Sequence, residues 1–396
     1  MALPPLSRYL DASATTPPAP EVVAAMQAAA METWANPSSL HGWGLAAADL
    51  LERSRLRLAE GLGADPRRLV LCSGGSEAIH LALLGSAARL QPGRLLLSSV
   101  EHPATEAAAR QLQRSGWQLE RLPVDRLGVL DPDDLARRLE PPTRLVSILW
   151  GQNEVGTLQS IETIGRLCRA AGVLLHVDAV QVLGHLPIDL ASLPVDLLSV
   201  AAHKLQGPRG IGALALAEGV ELEPLIGGGG QEGGRRGGTE PVVLAHGFAT
   251  ALDLCRDRLA AHGGIDPLAD LRNDLWRRLQ SLEGLRFTGP DPYLPGARLP
   301  HHLSLLVADG DRRPLSGRAL VRALARRGWG VSSGSACSLG GNERPSPVLV
   351  ALGYNAAEGL SSLRISLGPW VSAQAVRDFP AALEEARLDP AVRAEV

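Results

Sequence analysis

Short, wholly apolar runs alternate with amphipathic helical stretches over about the first 220 residues, and few architectures accommodate that alternation. Strand-like runs fall at 68–72, 94–98, 145–150, 173–177, 197–200 and 211–216. Helix-like stretches fall between them or before them, at 21–31, 45–62, 77–89, 104–114 and 161–171. A strand that is apolar along its whole length needs cover on both faces, which the intervening helices provide. The pattern therefore predicts an α/β unit built on a mostly parallel sheet. Ligands on such sheets sit beyond the carboxyl ends of the strands.

The tract 227–239, with eight glycines and two adjacent arginines, interrupts the alternation. Its composition suits a flexible linker, and its arginines suit a loop that contacts an anion. A helix follows at 241–259. Then come further helices, strands near 302–307, 330–332 and 363–366, and a final helix from residue 373. This second part reads as a smaller α+β domain, as a chain of 396 residues leads one to expect. A hydrophobic fraction of 45% excludes general disorder, and a net charge of −3 offers no whole-chain attraction to nucleic acid or anionic membrane. No apolar run approaches the ~18–20 residues of a membrane-spanning helix. The first residues lack the basic end and apolar stretch of a signal peptide, so a cytoplasmic protein is expected.

The chain contains a single lysine, Lys204, among 39 basic residues. An exposed lysine exchanges for arginine at little cost, whereas an amine that must lose its proton and form a Schiff base does not. Lys204 is therefore a candidate covalent catalyst. It lies just beyond a strand-like run, preceded by His203, and Asp178 ends the strand-like run before it. A lysine and a carboxylate at adjacent strand ends meet the needs of pyridoxal phosphate: the amine holds the aldehyde and the acid keeps the pyridine nitrogen protonated. Gly75 and Ser76 open a helix after a strand, which suits a phosphate. His102 lies in a loop after another strand, where a ring could stack on the cofactor. Of the four cysteines, Cys72, Cys168 and Cys255 sit in apolar segments, and none has metal-ligand spacing. Cys337 alone has small, polar neighbours, as a reactive thiol requires.

These residues stand within a longer series. The series runs from Tyr9-Leu-Asp-Ala-Ser-Ala-Thr-Thr-Pro17 through Asn36-Pro-Ser-Ser-Leu-His41, Glu101-His-Pro103, Gln152-Asn-Glu-Val-Gly-Thr157 and His176-Val-Asp-Ala-Val-Gln181. It continues with Ala202-His-Lys204, Arg236-Gly-Gly-Thr239, Ser332-Ser-Gly-Ser-Ala-Cys337 and Ser361-Ser-Leu-Arg-Ile-Ser-Leu-Gly368. In this order the motifs resemble the pyridoxal-phosphate cysteine desulfurases of the NifS/IscS type, within the class V aminotransferases. The resemblance implies a PLP-dependent transferase of fold type I, with a seven-stranded, mostly parallel sheet in a large domain at 15–258. Residues 1–14 and 259–396 would form the small domain, with a long cysteine loop at about 332–345.

The same resemblance implies the roles. Lys204 would be the Schiff-base lysine, Asp178 the partner of the pyridine nitrogen, Gln181 a contact to the phenolic oxygen, and His102 the stacked ring. Gly75, Ser76 and His203 would hold the phosphate, with Thr239 reaching across from the second subunit of a homodimer. Asn153 and Arg364 would orient L-cysteine, the arginine through its carboxylate. Cys337 would take the sulfur as a persulfide and hand it to an acceptor protein for iron–sulfur cluster or thio-cofactor assembly. Departures cluster at the phosphate end: Ala201 stands where a serine is usual, Gly75-Ser76 where Ala-Thr is usual, and Gly233 where an arginine is usual. Two other readings fit this framework. One is a selenocysteine or C–S lyase of the same fold, and the other a degenerate, non-catalytic scaffold.

Overall fold

Successive residues of a strand face opposite sides of the sheet, so an apolar run without alternation must be covered twice. The computed structural model of the chain describes residues 3–334 and 344–393, and meets that requirement with one large sheet between helices. Its strands are β1 (Leu69–Cys72), β2 (Arg94–Ser98), β3 (Gln118–Leu122), β4 (Thr143–Leu149), β5 (Leu174–Asp178), β6 (Leu197–Ala201) and β7 (Gly212–Leu216). They lie in the order β1-β7-β6-β5-β4-β2-β3. Strand β7 runs antiparallel to both neighbours, and every other pairing is parallel.

The helices of this unit are α1 (Pro20–Glu32), α2 (Gly42–Leu62), α3 (Gly75–His80), α4 (Pro103–Arg114), α5 (Pro132–Arg138), α6 (Ile161–Ala171) and α7 (Val242–Ala261). Helix α6 illustrates how they form. Ile161, Ile164, Gly165 and Cys168 recur at helical spacing and are buried, and Gly172 ends the helix in the left-handed region at φ 66°. The stretch expected as one helix over 77–89 instead begins at Gly75 and passes into a π-helical turn at Leu81–Gly85. Strand β3 and helix α5 were not anticipated. Strand β3 is an edge strand with the sequence Gln-Leu-Glu-Arg-Leu, mostly solvent-facing, and lacks the apolar signature of its neighbours.

A second core gathers on a three-stranded antiparallel sheet, β8 (Leu285–Phe287), β9 (His302–Val307) and β10 (Ser362–Ser366). Around it lie α8 (Leu268–Gln280), α9 (Gly317–Arg326), α10 (Pro347–Ala351), α11 (Ala356–Leu360), α12 (Ala373–Arg387) and α13 (Pro390–Arg393). Leu275, Leu303, Leu305, Leu320 and Phe379 form its centre, joined by Leu10 from the start of the chain. The segment expected as a strand at 330–332 makes only isolated bridges, Gly330 to Tyr9 and Ser332 to Arg364.

The glycine-rich tract is tied down by one carboxylate. Glu232 receives both terminal nitrogens of Arg55, at 2.9 and 2.7 Å, and the Leu71 N–H of β1 at 2.8 Å. Its side chain is 2% exposed and that of Arg55 13%. Removing one partner of a buried pair strands the other charge, at a cost of about 3–5 kcal/mol. Glu232→Ala should therefore lower the urea midpoint of unfolding by that amount of stability, whereas the exposed Glu162→Ala, which breaks only a surface pair with Arg166, should change it by less than about 1 kcal/mol.

Candidate active site

The carboxyl ends of β4, β5 and β6 face a cavity of about 400 Å³, in the size range of small-molecule sites. Nine of the residues singled out by sequence line it: Gly75, Ser76, His102, Asn153, Asp178, Gln181, His203, Lys204 and Arg364. Thr239 does not. It sits by a separate depression with Trp34 and Asn36. Cys337 lies outside the described residues.

Asp178 is the last residue of β5 and is buried. Its Oδ1 accepts the Val180 N–H at 3.0 Å. Burial raises its pKa to about 6, against the Val180 N–H and the Lys204 charge, which lower it. Two residues earlier, the fully buried His176 bridges Ser147 of β4 at 2.8 Å and Ser199 of β6 at 2.9 Å. Burial lowers that ring to about 3, so a neutral polar seam across three strands fixes the end of β5.

Lys204 ends the short turn Ala202–Lys204 after β6. Its Nζ donates to the carbonyls of Ser13 and, at 2.8 Å, Ala14. Burial lowers its pKa to about 8. The Arg364 charge lowers it further, while Asp11 and Asp178 act in the opposite sense. The Ser13 carbonyl also accepts Gln181 Nε2 at 2.9 Å. Arg364, on β10, donates to Asp11 Oδ1 at 2.8 Å and to the Asn153 carbonyl at 3.0 Å, and its Nε is buried without a partner. Asp11 and Ser13 were missed by sequence reasoning. They belong to the Tyr9–Pro17 motif, but one acts as a counter-charge and the other through its backbone.

His102 caps α4: its Nδ1 accepts the Ala104 N–H at 3.1 Å, which puts the ring proton on Nε2. Burial lowers its pKa to about 4, with the Lys204 charge adding to that effect, so the ring is neutral at ordinary pH. His203 is lowered to about 4 by burial, then by Lys204 and Arg209.

These features fit pyridoxal phosphate. A buried acid at a strand end, with no arginine on it, is suited to a protonated ring nitrogen. The single lysine of the chain stands in the same cavity with its pKa lowered. At the start of α3, a Cβ on Gly75 would lie 2.8 Å from Val180 Cγ2, so a larger residue there would need the Val180 side chain to shift, and glycine lets the turn close as it stands.

Glu101 was also missed. It is buried, its Oε1 accepts the Leu149 N–H at 2.8 Å, and its Oε2 has no partner. Burial raises its pKa to about 8, the Leu149 N–H opposing and nearby Asp178 adding to the rise. Because the folded pKa exceeds the unfolded value, the folded state holds the extra proton. Its contribution is complete below pH ~4.5 and is lost progressively as pH rises towards 8. Glu101→Gln mimics the protonated acid and removes that loss. Its melting temperature should gain on wild type by more than about 3 °C between pH 5 and pH 8, and a constant difference would mean that Glu101 is ionised throughout.

Known proteins place this geometry in a family. Residues 8–379 match the class-V aminotransferases. The cysteine desulfurase IscS of Escherichia coli is 38% identical over 375 residues, covering 93% of this chain and 89% of the relative. The solved structure of a NifS-like protein superposes with a TM-score of 0.86 at 31% identity, covering 95% of this chain and 98% of the other. A structure of SspA in complex with cysteine superposes with a TM-score of 0.79 at 31% identity, covering 92% of this chain and all of the other. The chain belongs to the class-V aminotransferase family, whose members use pyridoxal phosphate, and within it to the NifS/IscS-type enzymes.

Proposed function

We propose that the protein is a cysteine desulfurase that converts L-cysteine to L-alanine and takes the sulfur onto Cys337. The observation that carries this reading is the convergence of Lys204, Asp178, His102 and Arg364 on one cavity, where burial lowers the pKa of the Lys204 amine and leaves the His102 ring neutral. Lys204 would hold the cofactor aldehyde, Asp178 its ring nitrogen, Gln181 its phenolic oxygen, and Gly75, Ser76 and His203 its phosphate. Bound there, pyridoxal phosphate supplies an electron sink that weakens bonds at the carbon skeleton of an attached amino acid.

The protein's own groups do the rest. Arg364 receives the substrate carboxylate, with its unpartnered Nε and the guanidinium held by Asp11 and the Asn153 carbonyl. A freed Lys204 amine with a pKa near 8 is partly unprotonated at neutral pH and takes the Cα proton at Nζ. His102, neutral with its proton on Nε2, donates or relays a proton above the cavity. In sum, the substrate C–S bond breaks and an S–S bond forms at Cys337. The thiol's proton balances the hydrogen gained at Cβ, leaving alanine and a persulfide. An acceptor protein would then carry the sulfur away for cluster or cofactor assembly.

A homodimer completes the reading. Trp34, Leu40 and Trp43 are 69, 90 and 64% exposed, and Trp34 lines the depression that holds Thr239. An exposed apolar group of that size is suited to burial against a second copy, which would bring Thr239 to the neighbouring cofactor. Sedimentation equilibrium should give twice the chain mass, and Trp34→Glu with Trp43→Glu should give the single chain.

Alanine and sulfide release from L-cysteine, with added pyridoxal phosphate and dithiothreitol, tests the activity. Lys204→Ala should lose about 10²–10⁴-fold in turnover. Cys337→Ala should lose both products while retaining the cofactor's absorbance. Full sulfide release by Cys337→Ala would favour a C–S lyase, and faster turnover of L-selenocysteine than of L-cysteine a selenocysteine lyase. Cofactor absorbance without either product would favour a scaffold.

A further inference from the structure

At the phosphate end of the cavity, the side chains expected of a tight anion grip are reduced. Ala201 offers no hydroxyl and Gly233 no guanidinium. His203 remains, and the fold holds it on several sides. Thr16 grips its carbonyl twice, through N–H and through Oγ1–H, each at 2.9 Å. Thr16 Oγ1 in turn accepts the Gln206 N–H at 2.8 Å. Next to it, Thr15 Oγ1 lies 3.1 Å from His203 Nδ1, while the Thr15 carbonyl accepts the Tyr9 hydroxyl at 2.9 Å. The imidazole therefore has one ring nitrogen engaged by Thr15, and Nε2 is left for the cavity that His203 lines.

A neutral imidazole has one donor and one acceptor nitrogen, and a phosphate oxygen only accepts. Were the proton on Nδ1, it would go to Thr15, and a lone pair at Nε2 would face the anion. With the Thr15 hydroxyl donating to Nδ1, the proton lies on Nε2 and points at the anion. Burial together with the neighbouring Lys204 and Arg209 charges keeps the ring neutral, so the choice of tautomer decides whether it attracts or repels the ligand.

We propose that Thr15 is a positioning residue for cofactor binding, its hydroxyl fixing the His203 tautomer that donates to the phosphate of pyridoxal phosphate. This rests on the cofactor assignment made above. Thr15 touches no ligand itself. It acts through the ring, and its own placement comes from Tyr9 and Thr16.

The test titrates apoenzyme with pyridoxal phosphate and, separately, with pyridoxal, which lacks the phosphate. Wild type, Thr15→Val, Thr15→Ala and Thr15→Ser are compared, with apoenzyme melting temperature as the check on folding. Thr15→Val should weaken pyridoxal phosphate about five- to tenfold, in keeping with one lost hydrogen bond. Its affinity for pyridoxal should stay within about twofold, and Thr15→Ser should restore wild-type affinity for both. Should Thr15→Val fail to fold, Thr15→Ala carries the same comparison. Wild-type affinity for pyridoxal phosphate in the variant lacking the hydroxyl, or equal losses for the two ligands, would overturn the proposal. Failure of wild type to bind pyridoxal phosphate at all would overturn the cofactor assignment with it.

Discussion

A lysine ammonium taken out of water has to find acceptors, and Lys204 finds them in the Ser13 and Ala14 carbonyls. That contact joins residues 191 and 190 positions apart in sequence. It brings the segment 9–16 to the cavity, where Ser13 and Ala14 form part of the wall. The same segment bridges Gly330 through Tyr9 and Ser366 through Asp11, so it is anchored on the small sheet while it reaches the strand ends of the large one. Arg364 extends the arrangement, since its counter-charge Asp11 lies on the same segment. The amine and the guanidinium are thus positioned from one short stretch of backbone. Their mutual repulsion is one cause of the lowered Lys204 pKa.

Beneath them, two buried carboxyls share the strand ends without sharing a charge. Glu101 is pushed to about 8 and Asp178 to about 6, and the ionised Asp178 disfavours ionisation of Glu101. Asp178 has the Lys204 cation acting on it, so its ionised form is the better supported of the two. A protonated pyridine nitrogen would strengthen that preference. Neutral His176 adds no competing charge behind the strand, although it supplies two of the hydrogen bonds that hold the seam together.

Most of this could be read from residue order. Wholly apolar strands pointed to the central part of the sheet, and the isolated lysine and strand-end aspartate pointed to its carboxyl edge. What escaped notice follows from physical causes. Strand β3 lies at the edge, where half-polar residues suffice, so it carries no apolar signature. Ser13 acts through a carbonyl that any residue possesses, and only its position matters. Glu101 sat in view within Glu101-His-Pro103, but a carboxyl is ordinarily taken for a solvated charge, and its burial is a tertiary fact. The glycine-rich tract resembled a linker because glycine content does not reveal Glu232, whose partners Arg55 and Leu71 come from more than 150 residues earlier.

That tract also bears on the proposed phosphate end, where the expected arginine is absent. Glu232 and Gly233 both occupy the left-handed region, at φ 51° and 64°, and a Cβ at Gly233 would lie 3.0 Å from Arg235 Nη1. A larger residue there would be strained by the backbone and would crowd that guanidinium. Arg236 is committed elsewhere, to Glu77 at 3.0 Å, and Glu77 holds the Ser73 N–H at 2.7 Å ahead of α3. Arg236 therefore fastens the turn that leads into α3. Gly75 and Ala201, both small, let that turn close on Val180, so backbone N–H groups, Ser76 and the neutral His203 would be the groups suited to an anion there. Fixed dipoles of this kind need no counter-charge when the cavity is empty of ligand, so the same substitutions that weaken an ionic grip also remove the cost of burying unpaired cations.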